Sequence, residues 1–178
     1  MICMAFEALG SAGNELDDLT DVERAVTKVV GEFDVDLDAM HAVANVFRVE
    51  SAVRNHMLRQ VLVEDDLSWT GFVALWVLWV WGDQETRFLA QRCSVTRATM
   101  TGVVRTLEKR GLATRGDDPN DGRVVVVGLT ETGLATISRL FPIFNSQEAF
   151  VTAALTNAER RTLAHLLRKV LRTVDTPI

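Results

Sequence analysis

The sequence predicts a mostly α-helical fold with a single small β-hairpin, in which a helix-turn-helix and its hairpin wing are flanked by long helices. Three observations carry that prediction. Apolar residues recur at i, i+3 and i+4 through most of the 178 residues. A short helical stretch, a tight turn at Cys93-Ser94 and a second helical stretch follow one another directly. Then RGDDPNDGRVVVVGLTETG, residues 115–133, sets turn-forming residues ahead of four valines and a helix start.

Taken in order, residues 15–33 place Leu16, Leu19, Val22, Val26, Val29 and Val30 on one stripe, and Gly31 with the acidic run after it closes that helix. A longer pattern runs from Asp36 to Val63 through Leu37, Met40, Val43, Ala44, Phe47, Met57, Leu58, Val61 and Leu62. Such a helix spans about 40 Å, more than a small globule needs, so it packs against a second chain or bridges two parts of one. FVALWVLWVW, Phe72 to Trp81, lies in a helix over 70–81 that Gly82 ends. Its unbroken apolar run is about half a membrane span, which reads as a buried helix. Helices over 86–92 and from Val95 to Arg110 come next, the second with Ser94 as N-cap and Gly111 as the glycine that stops it. The hairpin pairs Leu112–Arg115 with Arg123–Val127. Thr130 to about Ala154 forms a further helix in which Pro142 predicts a kink, and the last helix opens on a capping box, Thr156-x-x-Glu159. Leu163, Leu166, Leu167, Val170, Leu171 and Val174 line one face of that last helix.

Composition narrows the function classes. Three prolines and 48% hydrophobic residues fit one ordered domain with a sizeable core. Two cysteines, Cys3 and Cys93, are too few for a disulfide framework, and MICMAFEALG has no basic run ahead of its apolar residues. A cytoplasmic protein with no membrane partner is expected. The net charge of −5 argues against a polyanionic partner until its distribution is considered. Residues 1–38 carry ten acids and two bases, whereas residues 87–123 carry eight Arg or Lys against four acids. The local basic patch is what a polyanion meets.

Within that patch, Ala90 is small where two helices must approach, and Leu89, Val95, Val103, Val104 and Leu107 supply an apolar side. The opposite face, Thr96, Arg97, Thr99, Thr101 and Arg105, is polar without acid. A helix that meets phosphates and base edges needs donors and short side chains in its first turns. A basic hairpin directly after it completes a winged helix-turn-helix.

LAQRCSVTRATMTGVVRTLEKRGLATRGDDPNDGRVVVVGLTETG, residues 89–133, resembles the MarR family of bacterial transcriptional regulators. That family's wing signature is D-x-R, five residues, then L-T-x-x-G, matched here by Asp121, Arg123, Leu129, Thr130 and Gly133. LEKRGLATR matches the end of the family's recognition helix and its first wing strand, and the resemblance covers roughly residues 36–174. It implies a homodimer on double-stranded DNA, with a DNA-binding lobe at about 67–130 and dimerisation helices at about 36–63 and 131–174. Residues 1–35 go beyond the common pattern and are read as one more helix of the dimer interface. The implied DNA contacts are Thr96, Arg97, Thr99, Thr101 and Arg105 on the helix, with Arg115, Asp121 and Arg123 on the wing. Arg123 would reach the minor groove, held by Asp121. Gly102 and Gly122 depart from the pattern, standing where relatives often carry arginine.

The resemblance also implies a small aromatic or phenolic effector between the dimerisation helices and the DNA-binding lobe. Trp69, Phe72, Trp76 and Trp79 are candidates to line its pocket, with His41 and Arg48 as polar anchors. Core packing explains the same aromatics, and a surface salt bridge the same arginine. A cysteine-based redox sensor is the alternative regulator, although the chain has no tyrosine to match the peroxide-sensing branch. A winged helix used only for protein docking is the other alternative. No catalytic residue, metal ligand set or cofactor is expected: His41 and His56 would sit about 22 Å apart along one helix, and no HExxH, GxSxG or phosphate loop occurs.

Overall fold

The computed structural model describes residues 16–117 and 125–175. The chain forms two compact units, Met1–Asn55 and His56–Ile178. The first holds helix α1, Leu16–Val30, and most of α2, Leu37–Met57. Asp36 caps α2 by accepting the Ala39 N–H on its side chain at 2.9 Å. Polar ties join the two helices within this unit, the Asn45 amide donating to Glu23 at 2.9 Å and His41 Nε2 lying 3.3 Å from the Thr27 hydroxyl. Val29, Phe33, Val43, Phe47 and Val49 stay exposed here.

In the second unit α2 widens into a π turn, Leu58–Leu62, instead of running on as regular helix to Val63. A π turn holds one more residue than an α turn, so Met57, Val61 and Leu62 all reach the core. Helix α3, Trp69–Trp81, starts where Ser68 accepts the Gly71 N–H at 3.0 Å. It buries Phe72, Ala74, Leu75, Val77 and Leu78 along nearly its whole circumference, which is why its sequence shows no polar face. No helix among the described residues is long and apolar enough to cross a membrane.

There follow β1 (Gln84–Glu85), α4 (Thr86–Arg92), α5 (Arg97–Lys109), β2 (Ala113–Asp117), β3 (Val125–Leu129), α6 (Glu131–Val151) and α7 (Asn157–Asp175). The sheet order is β1-β3-β2, all antiparallel, with Arg115 opposite Val127 and Gln84 opposite the same Val127 on the other side. The sequence predicts only a two-stranded hairpin; the two-residue β1 is too short to show any periodicity. Leu62, Leu75, Leu89, Met100, Leu107, Val127, Ile137 and Leu140 make the core where α3, α5, α6 and the sheet meet, each almost fully buried. Burial of this kind stabilises by roughly 2 kcal/mol per large aliphatic side chain.

Two local devices fix the wing's exits. Gly111 has φ +67° as the residue that stops α5, a backbone conformation side chains resist. Gly133 packs so closely that a Cβ there would lie 1.9 Å from the Leu112 carbonyl oxygen. Thr130 serves both ends of this corner, donating to the Gly111 carbonyl at 2.6 Å and accepting the Gly133 N–H at 3.0 Å. The threonine and glycine of the wing signature are thus a structural corner.

Candidate nucleic-acid interface

The interface is assembled from α4, the turn after it and α5. The Val95 N–H donates to the Ala90 carbonyl at 3.0 Å and the Ser94 N–H to Gln91 at 3.1 Å, so the chain reverses within three residues. Ser94 takes φ +53° in that turn and is not the helix cap, contrary to expectation. Thr96 is the cap: its hydroxyl accepts the Thr99 N–H at 3.1 Å and lies 2.8 Å from the Thr99 hydroxyl. Ser94 takes part in the turn, and Thr96 has the extended backbone that a cap needs.

Helix α5 is divided lengthwise. Met100, Val104 and Leu107 are buried, Met100 being a core residue absent from the apolar side read in the sequence. Arg97, Ala98, Thr99 and Arg105 are exposed on the other side. The Thr101 hydroxyl donates to the Arg97 carbonyl at 2.9 Å, leaving its lone pairs as acceptors. Neither the Arg97 nor the Arg105 guanidinium makes an ion pair or hydrogen bond with any described residue. With no carboxylate between Ser94 and Leu107, this face carries two unneutralised guanidinium groups, Arg97 in the first turn of the helix and Arg105 in its second half. Such a face offers donors that phosphate and base acceptors can take up.

Arg115 sits differently. On β2 it turns back onto α5, donating from Nη2 to the Thr101 carbonyl at 3.1 Å. Its Nε lies 3.0 Å from Glu108 Oε2, an ion-pair distance without hydrogen-bond alignment. It therefore braces the wing against the helix. Glu108 was missed because its partner lies across the α5–β2 turn and no local pattern marks the pair. Asp121 and Arg123 lie outside the described residues.

The expected pocket residues fall into two groups. Phe72 stacks on Phe144 with centroids 4.5 Å apart, Trp69 tilts against the same ring at 6.0 Å, and Trp79 meets Phe141 at 5.2 Å, so these three face α6. Trp76 packs edge-on to Trp81 at 5.3 Å. His41 and Arg48 belong to the first unit, where Arg48 Nη1 lies 3.6 Å from Glu23 and donates to Asn45 at 3.3 Å. Cys93, half-buried at the end of α4, has its thiol pKa pushed up to about 11 by burial. Among the described residues no three His, Cys, Asp or Glu side chains gather as a metal site.

A sequence model of the MarR family matches residues 67–125, which spans α3 through the wing. The uncharacterized HTH-type transcriptional regulator YwaE of Bacillus subtilis (strain 168) is 37% identical over 142 residues, 80% of this chain and 83% of that protein. The HTH-type transcriptional repressor NicR of Pseudomonas putida is 28% identical over 139 residues, 78% of this chain and 85% of that one. The solved structure of Bordetella bronchiseptica BpsR, whose DNA binding is regulated by 6-hydroxynicotinic acid, matches with a TM-score of 0.66 at 26% identity, covering 74% of this chain and 91% of that one. A winged helix-turn-helix fold, the matched family model and relatives of this extent place the chain in the MarR family of transcriptional regulators, not among enzymes.

Proposed function

We propose that this regulator represses transcription as a homodimer on an inverted-repeat operator and lets go when a small aromatic or phenolic molecule binds. The observation that carries the DNA contact is the exposed Arg97 and Arg105, whose guanidinium groups pair with no described residue, on a face of α5 whose one carboxylate, Glu108, is taken up by Arg115. Thr96, Thr99 and Thr101 add short hydroxyl groups, and Arg115 holds the wing beside them. Asp121 and Arg123 extend the same surface to the wing tip by their match to the family signature.

Dimerisation is supported by α7, where Leu163, Leu166, Leu167, Val170, Leu171 and Val174 all stand exposed on one helix of the single chain. An apolar stripe of that size is covered by a second protein surface. The exposed Val43, Phe47 and Val49 of α2 make the first unit a further candidate for that surface, in keeping with residues 1–35 joining it. The likeness to NicR, a repressor, supports repression, and the control of BpsR by 6-hydroxynicotinic acid supports an aromatic acid as effector. The aromatic cluster of Trp69, Phe72 and Trp79 against α6, with Trp76 nearby, suits such a ring. The protein would act in the cytoplasm, where the chromosome lies.

Oxidant sensing through Cys93 is disfavoured, because a thiol pKa near 11 leaves little thiolate at neutral pH. A purely protein-docking winged helix is disfavoured by the unpaired arginines. The test is a fluorescence-anisotropy titration of the full chain on DNA upstream of its own gene, with scrambled DNA of equal length as comparator. Preference for the upstream sequence, with one dimer per inverted repeat, is expected. Equal affinity for both DNAs near physiological salt would overturn the operator reading.

A further inference from the structure

A cavity of about 610 Å³ lies between the α2–α3 turn and the inner flank of α5, apart from the aromatic cluster. Its volume is that of a small-molecule site. The apolar wall is aliphatic, formed by Leu58, Leu62, Val63, Leu67, Val103 and Leu107, and no aromatic side chain lines it. At Gly102 the wall is open: a Cβ placed there would meet nothing within 4 Å. Its polar lining is Arg110, Asp66, Ser68 and Thr106, and Arg110 is its one cation. Arg110 donates to the Asp66 carbonyl at 2.7 Å and to the Asp65 carbonyl, and it pairs with no carboxylate among the described residues.

We propose that this cavity binds a small carboxylate with a flexible aliphatic tail. The tail gains by leaving water along the aliphatic wall, where a ring would find nothing to stack on. The head offers Arg110 a charge-assisted, bidentate partner in place of two neutral carbonyls. The Asp66 carboxylate opposes the same head by repulsion and so limits affinity. Binding bears directly on the DNA-reading helix, because Arg110 ends α5 and the turn it holds is tied through Asp65 to Arg139 of α6. An anion that draws Arg110 away unfastens α5 from that turn. This consequence rests on α5 being the DNA-contacting helix; the binding itself does not.

The test is calorimetric titration of the full chain with sodium octanoate below its micellar range, using octanol and benzoate as comparators. One saturable octanoate site per chain is expected, with octanol and benzoate each about tenfold weaker or more. Arg110→Gln should weaken octanoate about tenfold, and Asp66→Asn should tighten it several-fold. Asn tolerates the positive φ of residue 66, so this variant keeps the turn. Gly102→Leu should fill the cavity and abolish binding without lowering the melting temperature. Absence of saturable binding, benzoate binding as tightly as octanoate, or octanoate binding that Gly102→Leu and Asp66→Asn leave unchanged would each overturn the site. Saturable binding with no shift in operator affinity would overturn its link to α5. Failure of the DNA-binding reading would show separately, as no operator preference before any octanoate is added.

Discussion

Arg97 and Arg105 lie about 12 Å apart along α5, so on the proposed DNA each would meet a different part. Arg97, one residue past the cap, stands at the end of the helix that would enter the groove first. We expect Arg97→Ala to cost about 1–3 kcal/mol of operator binding and to blur the preference between operator and scrambled DNA. Arg123→Ala, at the wing, should weaken both DNAs alike and make the salt dependence shallower by about one ion per wing. Anisotropy titrations at two salt concentrations separate these outcomes; unchanged affinity for Arg123→Ala would make Asp121 and Arg123 a turn-stabilising pair only. At Cys93 the raised pKa has a direct chemical reading. In a Cys3→Ser background, alkylation of the remaining thiol should be slow at neutral pH and rise toward pH 11. Rapid modification at neutral pH would reopen the redox alternative.

Among the elements, the corner joining β3 to α6 has the least room. Gly133→Ala must push its methyl into the Leu112 carbonyl, and an expected loss of about 3 kcal/mol in thermal or urea unfolding checks it. The start of α7 depends on pH instead. Thr156 donates from its hydroxyl and its N–H to Glu159 Oε2 and accepts the Glu159 N–H in return. These bonds favour the charged carboxylate and lower the Glu159 pKa below its ordinary 4.5. A depressed folded-state pKa contributes stability above the ordinary value and loses it as pH falls through the folded one. Thr156→Ala should therefore lower the melting temperature more at about pH 7 than at about pH 3; an equal loss at both would mean the carboxylate takes no part. Such capping pairs, like the apolar stripes of α1, α5 and α7, are readable in the sequence because their partners lie within a turn. The strand β1, the Arg115–Glu108 brace and the hold of Arg110 on residues 65 and 66 are not. Their partners are brought together by the fold, in the last case across forty-four residues or more, and nothing local marks them.

For the molecule as a whole, uneven charge and an uncovered helix face point the same way. Its net charge is negative, yet the surface offered by α5 is cationic, so binding should weaken steeply with salt while the protein as a whole repels bulk polyanion. Removing residues 157–178 deletes six large aliphatic side chains of α7 that stand exposed in the single chain. We expect that truncation to lose the dimer and become poorly soluble in sedimentation runs. A truncated protein that still sediments as a stable dimer would move the interface elsewhere.

The π turn at Leu58–Leu62 has a genetic consequence. A turn of this kind amounts to a single-codon insertion absorbed inside a helix, with the residues beyond it kept in phase. Dropping the exposed Gln60 would return the segment to ordinary helical winding and leave Val61 and Leu62 facing the core. Dropping Ala52, where the winding is already ordinary, would instead put the helix before it and the helix after it out of phase by about 100°. The first of these in-frame deletions should leave the melting temperature nearly unchanged and the second should lower it.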